Sequence, residues 1–191
     1  DLEEMATLAF TESVGATDLL ALTNRLDPAG RRGLLDTIER FGVRTTAARQ
    51  IARRLRSTAL EARHPLARFA AAISVDVDLE QGGRARLRRS PKLLHPGAWT
   101  SAEDTLRDMR EALTKLSAAL AELAADARLK DPLAVEDLWD IAARAREQEE
   151  LLWHLTAVRE TALVHYLEVD GEDGIGWRFA RAPINVAQTL E

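Results

Sequence analysis

The stretch Thr100–Leu129, TSAEDTLRDMREALTKLSAALAELAADARL, decides the fold of this chain. Its apolar side chains recur at alternating steps of three and four residues, at Leu106, Met109, Leu113, Leu116, Leu120, Leu123 and Ala127. Such a heptad seam predicts one long amphipathic helix. Thr100 and Glu103 fit a capping box, which predicts that the helix begins at Thr100.

A second seam follows after a short turn, KDPLAVED, in which Asp131 or Pro132 restarts a helix. The positions of this seam are Leu138, Ile141, Ala145, Gln148, Leu152 and Leu155. Two matched seams joined by a short loop predict an antiparallel helical hairpin, about 40 Å long at 1.5 Å per residue.

Shorter helices are predicted before this hairpin. The stretch 1–15 has acidic residues in its first turn and ends at a glycine, and ATDLLALTNRL follows it as a second helix. A third helix is expected to begin with Asp27 as N-cap and Pro28 in the first position, and a fourth covers 44–63. The chain is therefore predicted to be mainly α.

Two stretches of the sequence have the pattern of β-hairpins. The stretch 162–184 holds two runs of β-branched and aromatic residues around DGEDG, which predicts a C-terminal β-hairpin. Near 74–89, acidic alternation in VDVDLE, a QGG turn and basic alternation in RARLRR fit either a second small hairpin or a loop. Trp139 and Trp153 are expected to be buried in the core and not to act as stacking platforms. Trp177 is expected to pack the terminal hairpin onto the helices.

The length of 191 residues predicts one domain, or one domain with a subdomain, and the composition of 46% apolar and 30% charged residues is that of a globular protein. We expect a short-helix bundle (1–72), a basic hairpin or loop (73–99), the long helical hairpin (100–161), the terminal β-hairpin (162–184) and a final segment (185–191). The chain has no cysteine, which excludes disulfides and cysteine-ligated metals within it and is compatible with a cytoplasmic location. No apolar run is long enough to predict a membrane span.

Charge is unevenly distributed along the chain. Between Arg40 and Lys92 there are 13 basic and 4 acidic residues, whereas between Ser101 and Glu191 there are 10 basic and 19 acidic ones. A basic middle region suggests a polyanionic partner. The candidate nucleic-acid-binding residues form two clusters, Arg49, Arg53, Arg54 and Arg56, and Arg84, Arg86, Arg88, Arg89 and Lys92. The alternative is that these side chains are solvated or pair with the acidic half of the chain.

Motifs of catalysis and cofactor binding are not found in the sequence. It holds neither a GxxxxGK[ST] phosphate loop nor a GxSxG nucleophile elbow. The four histidines are scattered and do not have the spacing of metal ligands. We therefore assign no catalytic, metal or cofactor-binding residue to this segment.

The two ends of the chain carry a family resemblance. DLEEMA resembles the residues that follow the DEAH box in helicases of the DinG and XPD family. The closing stretch VHYLEVDGEDGIGWRFARAPINVAQTLE resembles the family's strand–turn–strand return segment. The matching positions are Val164, Tyr166, Glu168, Trp177, Pro183, Ile184, Val186 and Leu190, with tyrosine at Tyr166 where the family has tryptophan.

This resemblance implies an arch-type insert between the DEAH box and the next helicase motif. The parent would be an ATP-dependent 5′–3′ DNA helicase, a hydrolase of DNA repair that binds ATP and Mg²⁺ in its motor domains. The insert would help to enclose single-stranded DNA and would contact the motor domains of the same chain. Whether the parent carries an iron–sulfur cluster stays open, and this segment alone is expected to have no enzymatic activity.

Two other classes of function compete with this interpretation. The first is a non-enzymatic helical scaffold for protein interactions, which exposed leucines on the long helices or a stable dimer would favour. The second is a nucleic-acid-binding regulator, which ranks last because the sequence shows no recognition helix after a tight turn and the chain is acidic overall.

Overall fold

The computed structural model describes residues 12–73, 84–87, 96–157, 163–169 and 176–183. The helices are α1 (Ala16–Leu26), α2 (Leu34–Glu39), α3 (Thr46–Glu61), α4 (Arg63–Ile73), α5 (Pro96–Ala124) and α6 (Pro132–Ala157). The strands are β1 (Glu12–Gly15), β2 (Arg84–Leu87), β3 (Leu163–Val169) and β4 (Trp177–Pro183). The predicted fold class, mainly α with a long helix pair and a C-terminal β-hairpin, is confirmed.

The chain divides into two compact units. The sheet unit comprises Asp1–Ala16, Ala62–Thr105 and Leu151–Glu191, and the hairpin unit comprises Thr17–Glu61 and Leu106–Glu150. Each unit therefore combines segments that are distant in the sequence, whereas the predicted subdivision follows the chain in order. That subdivision and the single-domain interpretation stay predictions.

The sheet unit contains an antiparallel four-stranded sheet in the order β1-β4-β3-β2. Alternate residues of β3 and β4 are buried, including the cross-strand pairs Val169 with Trp177 and Leu167 with Phe179. The alternation gives the sheet one well-buried face, and α4 packs on β3 and β2. Trp177 is 2% exposed, which agrees with the packing role predicted for it.

The prediction of a helix over 1–15 is wrong at its C-terminal end, because Glu12–Gly15 forms a strand. This strand pairs with β4, so its partner lies more than 160 residues further along the chain. Local sequence pattern carries no signal for a pairing at that distance. The remainder of the predicted helix, residues 1–11, lies outside the described residues.

The hairpin predicted near 74–89 is only partly covered by the structure. Its second half forms β2 as expected, and β2 pairs with β3, with Arg84 opposite Glu168 and Arg86 opposite Tyr166. Residues 74–83, which would form the first strand of that hairpin, lie outside the described residues. The terminal hairpin of β3 and β4 is confirmed.

Helices α5 and α6 run antiparallel in the hairpin unit. The Ser117 hydroxyl donates to the Ala142 carbonyl at 2.9 Å, and Arg110 Nε donates to Glu149 at 2.8 Å. Arg110 precedes Ser117 by seven residues in α5, and its partner Glu149 follows Ala142 by seven residues in α6. The two contacts therefore define an antiparallel register. The leucines of both predicted seams are buried, whereas Ala127 lies beyond the end of α5 and is exposed.

Three predicted helix starts can be compared with the structure. Helix α5 begins at Pro96, so Thr100 is an interior residue whose hydroxyl donates to the Pro96 carbonyl, and the predicted capping box is wrong. Helix α2 begins at Leu34 and not at Pro28, and the backbone amide of Gly33, just before the helix, donates to the Asp36 carboxylate at 2.9 Å. The start at Pro132 is confirmed, with the Asp131 carboxylate accepting the Leu133 amide at 3.1 Å.

The prediction that Trp139 and Trp153 are core residues is wrong. Trp139 is 51% exposed and Trp153 is 49% exposed. The seam of α6 is filled by smaller side chains such as Leu138 and Ile141, which leaves both rings at the helix surface. None of the helices within the described part of the chain combines the length and apolarity needed to cross a bilayer.

Candidate nucleic-acid interface

Helix α3 carries the first of the two arginine clusters predicted to bind nucleic acid. Its buried stripe consists of Ala48, Ala52, Leu55 and Ala59. The arginines lie beside this stripe and not on it, as the helical spacing of 49, 53 and 56 requires. Their chemistry then depends on what each guanidinium contacts.

Arg49 is bound by three carboxylates of its own unit. Its Nη1 lies 2.5 Å from Asp27 Oδ1, and its Nη2 lies 2.9 Å from Asp36 Oδ1 and 3.3 Å from Glu39 Oε1. The Arg49 side chain is 17% exposed and that of Asp27 is 10% exposed. A guanidinium has donors in a fixed fork and can hold several carboxylates at once, so Arg49 links the start of α3 to the segment before it.

The pKa shifts agree with this geometry. The pKa of Asp36 is lowered, first by the hydrogen bond from the Gly33 backbone amide and then by the hydrogen bond from Arg49. Burial by itself would lower the pKa of Arg49, but the hydrogen bond to Asp36 and the charges of Asp27 and Glu39 outweigh it and raise that pKa. Both groups are therefore held in their charged forms.

Arg53 and Arg56 reach the same acidic residue. Arg53 Nε donates to Asp27 Oδ2 at 2.8 Å, and Arg56 Nη2 donates to the Asp27 backbone carbonyl at 2.6 Å and to Asn24 Oδ1 at 3.0 Å. The Arg53 side chain is still 64% exposed, so part of its charge faces water. Arg56 is half-buried and serves the packing of α3 against the end of α1.

Arg54 has the longest ion-pair contact of this cluster. Its nearest carboxylate oxygen, on Asp108, is 3.7 Å away, and its side chain is 61% exposed. The sequence prediction treats the four arginines of α3 as one surface, but the structure divides them. Arg49 and Arg56 hold the hairpin unit together, whereas Arg53 and Arg54 remain accessible to an anion.

The second predicted cluster is only partly covered by the structure. Arg84 and Arg86 belong to β2, in register with Glu168 and Tyr166 of β3. Arg88, Arg89 and Lys92 lie outside the described residues. The assignment of these five residues to nucleic-acid binding stays a prediction.

The structure also brings together basic residues that lie outside the two predicted clusters. Arg40 and Arg44 flank the exposed Phe41 in the loop between α2 and α3. Arg128 Nη1 donates to the Gly42 carbonyl at 3.0 Å, so the turn between α5 and α6, with the exposed Lys130, lies beside this loop. Charge counting along the chain could not find this group, because Lys130 is about 90 residues from Arg40.

A polar groove lies between α1 and α6 in the hairpin unit. It has a volume of about 480 Å³, within the usual range for small-ligand sites. Arg25 spans its wall through hydrogen bonds to Asp140 at 2.7 Å and Asp137 at 3.1 Å. The pKa of Asp140 is lowered by the hydrogen bond from Arg25 and then by that from Arg144. Arg25, Asp140 and Arg144 in the wall of the groove thus compensate each other's charge.

Metal-ligating groups do not converge in the described ranges. No cluster of three or more histidine, aspartate or glutamate side chains with metal-binding geometry occurs there. His165 is buried on β3, and its Nδ1 lies 3.3 Å from the Leu155 carbonyl, a contact within the sheet unit. That contact gives this histidine a structural role.

No protein-family model matches the chain, and no curated protein matches it significantly.

Proposed function

We propose that this chain is an arch-type insert of an ATP-dependent DNA helicase of the DinG/XPD family, which helps to enclose and guide single-stranded DNA. The observation that carries the proposal is the pairing of β1 with β4, in which Glu12 lies opposite Arg181. Neighbouring strands are about 5 Å apart. The chain therefore enters β1 and leaves β4 at almost the same place.

That arrangement suits an insert. A domain whose entering and leaving strands are adjacent can be accommodated in a loop of a host domain without separating the host's own elements. The segment that resembles the family's return strands also forms the expected hairpin: Val164, Tyr166 and Glu168 lie on β3, and Trp177 and Pro183 lie on β4. Both observations support the proposal from the chain's own geometry.

The proposed role in DNA binding rests on accessible positive charge. Arg53 and Arg54 are well exposed on α3, and an exposed cationic surface raises the local concentration of a polyanion without reading its sequence. ATP and Mg²⁺ would be bound by the motor domains of the parent and not by residues of this segment. The insert would contribute one wall of the passage through which the strand moves.

The coding sequence on either side of this segment tests the proposal most directly. We expect a DEAH box immediately before Asp1, a phosphate-binding glycine loop further upstream, and the next helicase motif after Glu191. Flanking sequence with none of these motifs would refute the assignment. This test does not depend on whether the segment alone binds DNA measurably.

A second candidate function is a non-enzymatic scaffold for protein interactions. It is favoured by the exposed apolar side chains of α6, where Leu133 is 71% exposed and Trp139 is 51% exposed. Large exposed apolar groups are enriched at protein interfaces. Sedimentation equilibrium of the wild-type chain and of the W139A variant separates the two candidate functions. A wild-type dimer that is lost in W139A favours the scaffold, whereas a monomer in both proteins favours the helicase insert.

A further inference from the structure

The loop between α2 and α3 and the turn between α5 and α6 meet at one end of the hairpin unit. Their contact is the hydrogen bond from Arg128 Nη1 to the Gly42 carbonyl at 3.0 Å. Gly42 has φ of +76°, a left-handed conformation that glycine adopts without strain. This turn carries Phe41 outward with 39% of its surface exposed. We call Arg40, Phe41, Arg44 and Lys130 the Phe41 tip.

Among the described residues, three carboxylates close in sequence to the Phe41 tip are engaged by donors of the protein itself. Glu39 is held by the Thr45 hydroxyl and by Arg49. Asp126 accepts from Arg128 Nη2 at 2.6 Å, and this contact lowers the Asp126 pKa to about 2. Asp131 accepts the backbone amides of the first turn of α6. The negative charges near the tip are thus satisfied locally.

The cations of the tip are not compensated in this way. Arg40, Arg44 and Lys130 are exposed, and within the described part of the chain none of them has a carboxylate at ion-pair distance. Arg49 and Arg128 pair with Glu39 and Asp126, so three positive charges remain exposed on the loop that carries Phe41 and on the turn that contacts this loop. An exposed ring beside uncompensated cations is the combination that binds single-stranded nucleic acid, through base stacking and phosphate contacts.

We propose that the Phe41 tip is a binding site for single-stranded nucleic acid, in which Arg40, Arg44 and Lys130 contact phosphates and a base stacks on Phe41. This inference deepens the proposed function and rests on it, since it names the surface of the insert that touches the strand. Single strands fit better than duplex because only an unpaired base offers its face to an aromatic ring. Contact with every base through its face also predicts little sequence preference.

Fluorescence anisotropy of the full chain with a labelled thymidine oligonucleotide tests the site, measured over a series of salt concentrations. Each phosphate contact adds about 0.7 to the slope of log affinity against log salt for single strands. The double variant R40Q/R44Q should therefore reduce that slope by about 1.4. The variant F41A should lower affinity about tenfold with the slope unchanged, because stacking releases no counterions.

The double variant R68Q/R146Q is the matched control, because it removes two exposed arginines outside the tip and outside both predicted clusters. It should keep the wild-type slope to within the error of the measurement.

Thermal unfolding of each variant checks that the fold is retained. The single variant K130Q removes one charge of the tip and should reduce the slope by about half as much as R40Q/R44Q. Polyaspartate carries negative charge but no bases. If it displaced the labelled oligonucleotide as well as unlabelled oligonucleotide does, binding would depend on charge alone, and the stacking site would be overturned.

Other outcomes overturn the inference while the helicase assignment stands. Binding that is unchanged in R40Q/R44Q and F41A but weakened in R53Q/R54Q would move the contact to α3. Failure of the wild-type chain to bind at low salt would remove the tip as a site. Neither result alters the flanking-sequence test, so failure of the tip and failure of the proposed function can be told apart.

Discussion

Glu12 and Arg181 lie opposite each other on β1 and β4, and Arg181 Nε donates to Glu12 Oε2 at 2.6 Å. The contact joins residues 169 positions apart in the sequence. The Glu12 side chain is 54% exposed, so the ion pair itself contributes little to stability. Its importance is geometric, because it marks where the first described strand is held beside the last one.

Gly15 should tolerate no side chain, because β1 and β4 approach each other closely there. A Cβ at Gly15 would lie 2.5 Å from the Trp177 carbonyl oxygen and 3.2 Å from Arg178 Cα, both backbone atoms. We expect G15A to lower the free energy of unfolding by about 2 kcal/mol, the usual cost of overpacking. Urea denaturation measures it. G97A is the control, since nothing lies within 4 Å of its added Cβ, and an equal loss in both variants would contradict the close approach.

Arg49 should be a stability residue and not a DNA contact. Replacing it with methionine leaves Asp27, which is 10% exposed, without its main charge partner. We expect R49M to lose about 2–3 kcal/mol of unfolding free energy, somewhat less than a fully buried ion pair. R54Q removes an arginine 3.7 Å from Asp108 and should change stability by less than about 0.5 kcal/mol. Similar losses in the two variants would contradict the division of the α3 cluster.

The helical part of the fold was predictable because its signal is local. The seams of Leu106–Leu123 and Leu138–Leu155 repeat within each helix, and burial follows them. The missed strand, β1, depends on a distant partner, β4, and the pairing of β2 with β3 was likewise not predicted although β2 itself was. A four-residue strand such as β1 carries too little pattern to be recognised without its partner.

The candidate site was less predictable for a similar reason. Arg49 and Arg54 look equivalent in sequence, and only the positions of Asp27, Asp36 and Glu39 separate them. A partial signal existed, because those acids are the only ones between Arg25 and Arg49. The rule that large aromatics are buried failed at Trp139, because an antiparallel helix pair needs only a narrow seam to close.

The interface between α5 and α6 should depend on its seam leucines and not on apolar character in general. Leu116 is fully buried, whereas Leu133 on the same hairpin is 71% exposed. We expect L116A to cost about 3 kcal/mol through lost transfer energy and the resulting cavity, and L133A to cost almost nothing. Chemical denaturation of both variants makes the comparison. Equal costs would mean that Leu133 is covered in solution by another molecule.

Stability should fall in acid through the carboxylates that are paired in the folded state. The pKa of Asp36 lies below its ordinary value of 3.8 because the Gly33 amide and then Arg49 stabilise the charged form. Its contribution is therefore complete above about pH 4 and is lost as the pH falls through the lowered pKa. Asp126, with a pKa of about 2, extends the same loss to lower pH.

The variant D36N removes the titrating group and keeps an oxygen that can accept the Gly33 amide. We expect it to be less stable than the wild type at pH 7 and to approach the wild type as the pH is lowered from about 4 to 2, because the wild type loses the Asp36 charge there as well. Urea midpoints at several pH values measure the convergence. E122Q, which removes an exposed carboxylate with no ion-pair partner among the described residues, should run parallel to the wild type. A constant gap between D36N and the wild type across this range would mean that the destabilisation does not come from loss of the Asp36 charge and would contradict the prediction.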